Sequence, residues 1–197
     1  MSDVHEHLEH VENAEHAAHS NRRIALLIAV LALFLALSET LGKSAQTEGL
    51  GANIEASDLW AFFQAKTIRQ TVLRTAAETW AVQLATVNDG PTKVAMQNQI
   101  DGWKKTIDRY ETEPETNEGR KELTARAQES EKTRDTALAK YHNYELSSAA
   151  YQIGIVLASA SVITGMIWLA WAAGGLGIVG IAFTALGLFA PHALHLA

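Results

Sequence analysis

Cysteine is absent from all 197 residues, which excludes disulfides, thiolate-held metals and cysteine nucleophiles. Charge is absent from two long stretches, residues 24 to 37 and residues 149 to 190, although 19% of the chain is charged. A basic stripe is missing as well. The net charge of −6 divides into −3 in residues 1 to 23, −1 at Glu39 and −2 in residues 43 to 148. Nucleic-acid binding needs clustered Lys and Arg to neutralise phosphates, so no nucleic-acid partner is expected. The chain has no phosphate-cradling glycine loop, no nucleophile elbow and no zinc-protease helix. Asp101, Asp108 and Glu111 are scattered as on a solvated helix face. These absences point away from an enzyme, and no cofactor is expected.

What is present is apolar and long. Ile24–Leu37 is an uninterrupted apolar run that reaches interfacial length with Ser38, Glu39 and Thr40. About 20 residues at 1.5 Å each cross roughly 30 Å of hydrocarbon. A polar arm precedes the run and no small-x-small cleavage site follows it, so it reads as an uncleaved anchor rather than a signal peptide. The block from Ala149 to Ala190 is twice the length of one span and therefore reads as a hairpin. A turn between Met166 and Trp171 divides it evenly and brings Trp168 and Trp171 to the membrane–water boundary. The fold class expected is an all-α membrane protein with three spans. A polar arm occupies 1–21, a first transmembrane helix 22–42, an extramembrane coiled-coil-like helical region 43–148, the transmembrane hairpin 149–190 and a short tail 191–197.

Small residues recur along both arms of the hairpin. Gly154, Ala158, Ser161 and Gly165 step by 4, 3 and 4, and Ala173, Gly177, Gly180, Thr184 and Gly187 share one face of the next helix. Such stripes let backbones approach closely where lipid supplies no hydrophobic drive. Arg22 and Arg23 ahead of the first span favour a cytoplasmic N-terminus, with residues 43 to 148 on the far side.

Residues 43 to 148 carry helical periodicity and almost no strand signal. One helix is expected from about Ser57, with Ser57 or Asp58 as its cap, to Val87, ended by Asn88-Asp89-Gly90. Leu59, Phe62, Leu73, Ala76, Trp80 and Val87 form its heptad-like seam, interrupted by Lys66 and Arg69. Pro91 suits the first turn of a second helix, on which Met96, Ile100, Trp103, Ile107 and Tyr110 follow one face. Residues 111 to 119 form an acidic turn. A third helix restarts near Arg120 with a thin stripe of Leu123, Ala127, Leu138 and Tyr141, and no breaker separates it from the second span. The aromatics of "EASDLWAFFQAKTIR" admit two readings, bundle packing or a cation-binding box built from Trp60 and Phe63. Packing is the expectation.

The same stretch carries a resemblance. Glu55 to Arg69, between a short anchor and an apolar hairpin, is similar to a family of bacterial membrane proteins catalogued as domain of unknown function 4337, over about residues 20 to 190. The resemblance implies an architecture and no activity. Basic residues between the last two spans tend to mark that turn as cytoplasmic in the family, whereas this chain has "GMIWLAWAAGG" there.

The arm holds five of the eight histidines. His7 and His10, like His16 and His19, are three residues apart, a helical spacing that can hold zinc, copper or nickel. The competing reading is a solvated or membrane-surface helix with Val4, Leu8, Val11 and Ala18 on one side. His192 and His195 place the chain end in the polar interface. The function expected is a self-associating structural or scaffolding component of a bacterial inner membrane, its partners being the lipid bilayer and further copies of itself. One alternative is a homo-oligomeric channel or ion-coupled energiser that superficially resembles TolQ and ExbB, with Thr164 and Thr184 facing a pore. Another is a metal- or pH-sensing protein acting through the arm.

Overall fold

A computed structural model describes the backbone of residues 2–193 and the side chains of residues 22–193. His7, His10, His16 and His19 therefore lie outside the described side chains. The described residues form four helices and no strand: α1 (Ser2–Leu84), α2 (Gly90–Glu111), α3 (Arg120–Thr164) and α4 (Ile167–Phe189). Three of them, α1, α3 and α4, are long and apolar enough to cross a membrane.

α1 corrects the expected helix start near Ser57. No proline precedes Pro91, and each interior glycine costs a helix only about 1 kcal/mol relative to alanine. Gly42, Gly49 and Gly51 therefore leave it unbroken. Ser57 does not cap anything; its hydroxyl donates to the Asn53 carbonyl at 2.9 Å, one turn back. The helix ends at Leu84, with Ala85 and Thr86 N–H groups bonded to the carbonyls of Val82 and Gln83. Asp89 then caps α2, with Pro91 in its first turn. Its carboxylate accepts from the backbone N–H of Thr92 at 3.1 Å and from the Thr92 hydroxyl. Those two bonds favour the ionised form and hold the carboxyl below its ordinary pKa of 3.8. The cap is thus complete above that value and weakens as pH falls through the lowered one.

The chain divides into two compact units, Met1–Glu48 with Thr136–Ala197, and Gly49–Asp135. In the second unit the C-terminal part of α1, all of α2 and the start of α3 pack as three helices. Leu59, Leu123 and Ala127 are its buried core, flanked by Trp60, Phe62 and Phe63. On α2, Ile100 is buried, and Met96, Trp103, Ile107 and Tyr110 are half-buried along the same face. Trp103 meets the Trp80 ring edge-on at 5.0 Å. Leu73 and Trp80 are half-buried on α1. The α2–α3 connection turns at Asn117, whose φ of 56° lies in the left-handed region that Asn tolerates better than most residues.

In the first unit α1 from Ile24 onward, the end of α3 and α4 pack around Ile24, Ala158 and Ala173. The hairpin turn falls at Gly165–Met166, at the leading edge of the expected window. Gly165 takes φ of +69°, which only glycine adopts without penalty, so the break occurs there. Consequently Gly165 does not share the packing stripe assigned to it; nothing lies within 4 Å of the position of a Cβ. The Ser161 hydroxyl closes the turn by donating to the Met166 carbonyl at 3.0 Å.

Candidate functional site

Two polar clusters are built into otherwise apolar packing. The first lies in the second unit, where α1 carries Lys66 and Gln70 on its buried face, only 4% and 5% exposed. A buried charge is costly unless it is paired. The Lys66 ammonium has Glu113 at 3.4 Å and Glu118 at 3.9 Å. It also sits over the rings of Phe62 (5.0 Å) and Tyr110 (5.7 Å). Arg120, at the start of α3, donates to Glu111 at 2.8 Å and to the Gln70 side-chain oxygen at 2.7 Å, with its guanidinium 4.8 Å from the Phe63 ring. The Gln70 amide nitrogen donates to the Ile107 carbonyl and to Glu111, both at 3.2 Å. Trp60 donates to Glu131 at 3.0 Å and meets Phe63 edge-on at 5.5 Å.

This geometry answers the question raised by the aromatic stretch. Cations do lie on its rings, but they are Lys66 and Arg120 of the same chain. Arg120 reaches Phe63 from α3, and Lys66 lies between Phe62 of its own helix and Tyr110 of α2; the acids are already bonded to cations, to amides or to the Trp60 indole. A shallow cavity of about 230 Å³ opens beside Phe63, Glu111 and Arg120. Among the described residues no three His, Cys, Asp or Glu side chains are placed to hold a metal ion. Of this cluster, sequence reading singled out Lys66 only as an interruption. Arg69, named with it, is exposed. The signal for Lys66 was its position in the heptad phase; nothing local announced its partners 47 and 52 residues away.

The second cluster, in the first unit, is made of hydroxyls. Ser147 on α3 donates to the Gly180 carbonyl at 2.9 Å and lies 2.6 Å from the Thr184 hydroxyl. Tyr151 lies 3.4 Å from the same hydroxyl, and Thr184 itself donates to the Gly180 carbonyl at 3.0 Å. Ser38 on α1 donates to the Tyr144 carbonyl at 3.2 Å. The small residues explain how these groups meet. Ala158, Ser161, Ala173, Gly177, Gly180 and Gly187 are all buried. A Cβ at Gly177 would lie 2.8 Å from Leu31, one at Gly187 2.7 Å from the Tyr144 ring, and one at Gly154 3.2 Å from Leu31. The stripe on α4 is therefore a seat for tyrosine rings of α3 and for Leu31 of α1. Thr164, at the end of α3, donates to the Ala160 carbonyl at 2.8 Å. Glu39 accepts from the Gln152 amide at 3.3 Å.

Neither cluster pairs a nucleophile with a base. Both join helices, and the residues that join them fall inside the span matched by one family model, the domain of unknown function DUF4337, over residues 20–190. The chain belongs to the DUF4337 family. No curated protein and no solved structure matches it. The DUF4337 span takes in all four helices' packed segments, from Ile24 on α1 to Gly187 on α4, but the family carries no assigned chemistry.

Proposed function

We propose that this DUF4337 chain is a three-span integral membrane protein that associates with itself and serves as a structural or scaffolding component of an inner membrane, without enzymatic activity. The observation that carries the reading is a contrast. The side chains of the two polar clusters each make internal bonds, while long apolar faces are left bare. In the first unit Leu26, Val30, Leu33 and Leu37 are exposed along one face of α1, as are Ile153, Val156 and Ile163 on α3 and Ile178, Ile181 and Leu188 on α4. Side chains of that kind are suited to lipid or to another copy. Of the two residues a pore would use, Thr184 directs its hydroxyl to Ser147 and Gly180 and Thr164 to the Ala160 carbonyl, which favours packing over conduction.

In this reading residues 149–190 form a membrane hairpin, the N-terminus is cytoplasmic, and residues 43 to 148 lie on the far side of the membrane. Light scattering in mild detergent should give a particle of at least two chains; a strictly monomeric particle would remove the self-association. Orientation is checked separately with a single cysteine at Thr92 or Asn117. An impermeant maleimide should label it in intact cells. Labelling only after permeabilisation would invert the topology.

A further inference from the structure

α1 in the second unit has two apolar sides. One is buried in the three-helix core. On the opposite side Ile54, Ala61, Ile68, Thr75 and Val82 recur at every seventh residue, all exposed, with Ile54 at 61%, Ile68 at 65% and Val82 at 74%. Leu50 and Val72 extend the same bare strip. Three hydroxyls beside the central line are turned inward: Ser57 donates to Asn53, Thr71 to Thr67 and Thr79 to Thr75, at 2.8 to 2.9 Å. The helix therefore shows the methyls of Thr71 and Thr79 rather than free hydroxyls. No charged side chain falls on the central line from Ile54 to Val82. Asp58 and Arg69 border one edge and Glu78 the other, all three exposed. A surface edged so closely by charges is not a lipid-facing one.

We infer that this strip is the seam along which a second copy of the chain docks, α1 against α1 in parallel. The inference rests on the proposed self-association and names its surface. Copies in one bilayer point the same way, so their α1 helices meet side by side in the same sense. A two-fold seam of that kind puts each residue of the central line opposite its own counterpart. A charge there would face itself, and the line carries none. Four of its five residues are β-branched, the side chains that favour two-stranded parallel pairing at alternate seam positions. The strip also has the size required. It is about 48 Å long and roughly 10 Å wide, so two copies would bury about 1,000 Å², the lower bound for a specific interface.

The absence of cysteine makes the test direct. Ile68→Cys on the seam and Lys132→Cys on α3, where the side chain is 76% exposed, are introduced singly into the full chain and oxidised in native membranes. Ile68→Cys should form a covalent dimer and Lys132→Cys should not. The double variant Ile68→Glu/Val72→Glu, which alters only exposed positions, should keep the wild-type helix content and weaken association at least tenfold or so, because like charges would face one another. If the wild type is oligomeric by light scattering but Ile68→Cys links no better than Lys132→Cys, the seam is elsewhere and the inference fails while self-association stands. A wild-type monomer removes both. Disulfides to a different protein at Ile68→Cys overturn the homotypic seam in favour of a foreign partner.

Discussion

Replacing Gly180 with alanine should destabilise the protein, while the same change at Gly174 should stabilise it. Both glycines lie inside α4, where alanine is the better helix former by about 1 kcal/mol, so propensity alone predicts a gain at each. The surroundings reverse the sign at Gly180. A Cβ there would lie 2.5 Å from Cε1, 2.7 Å from Cζ and 2.8 Å from Cδ1 of Tyr151. That ring is fully buried and stacked on Phe34 with centroids 5.9 Å apart, so it has no free direction in which to retreat. Overpacking of this kind costs about 1–3 kcal/mol, and valine should fall at or beyond the upper end. The Ser147 and Thr184 bonds to the Gly180 carbonyl would be displaced together with the backbone. At Gly174 nothing lies within 4 Å of the Cβ position. Thermal unfolding of the detergent-solubilised chain should show opposite shifts in Tm, the loss at Gly180→Ala amounting to roughly 2–12 °C for a chain of this size. Tyr151→Leu should recover part of that loss. Equal shifts at the two glycines would mean that α4 is not seated against Tyr151.

The contrast also explains what could be read from the sequence. The face of α2 from Met96 to Tyr110 was legible because large side chains mark every step. The start of α3 was legible from the acidic turn before it, and the three candidate spans from length and the absence of charge. The long buried face of α1 was not. Ser38, Gly42, Ala45, Ala52 and Ala56 are buried along it, and a Cβ at Gly42 would already touch Tyr144 at 3.4 Å. Close helix approach requires small residues, and small residues carry almost no hydropathy signal. The same effect misplaced one residue of the α3 stripe, of which Leu123 and Ala127 are buried as expected. Leu138, the obvious apolar choice, is 46% exposed, whereas Ala137 beside it is 1% exposed. Ser57 and Asp58 looked like a helix start because capping residues look the same in mid-helix. Their role depends on whether the residues before them are also helical. The polar cluster escaped for another reason: Lys66, Glu113 and Arg120 come from α1, the connection after α2 and α3, and only the fold brings them together.

Lys66→Met should leave stability within about 1 kcal/mol of wild type or raise it, whereas Glu113→Leu should cost about 3 kcal/mol or more. The two variants remove opposite ends of one pair, so a pair that simply stabilised the fold would lose similar amounts either way. Burial breaks the symmetry. The Lys66 side chain is 5% exposed and that of Glu113 is 21% exposed. When Lys66 goes, methionine fills nearly the same volume between Phe62 and Tyr110, and the Glu113 carboxylate turns toward water. When Glu113 goes, the ammonium stays buried on the inner face of α1, with Glu118 at 3.9 Å as its remaining acid. The double variant should resemble Lys66→Met alone, because the unpaired charge responsible for the loss is gone. Denaturant unfolding followed by tryptophan fluorescence would read all three; Trp60, Trp80 and Trp103 lie on the helices concerned. If Lys66→Met lost as much as Glu113→Leu, the pair would be a net stabiliser. The predicted asymmetry instead assigns Lys66 to specificity. α1 repeats its apolar positions every seven residues, and a slip by one repeat would set Lys66 where Leu59 or Leu73 now packs. Only in the native register does the ammonium reach Glu113, so the cost of the buried charge is offset there and nowhere else along the helix.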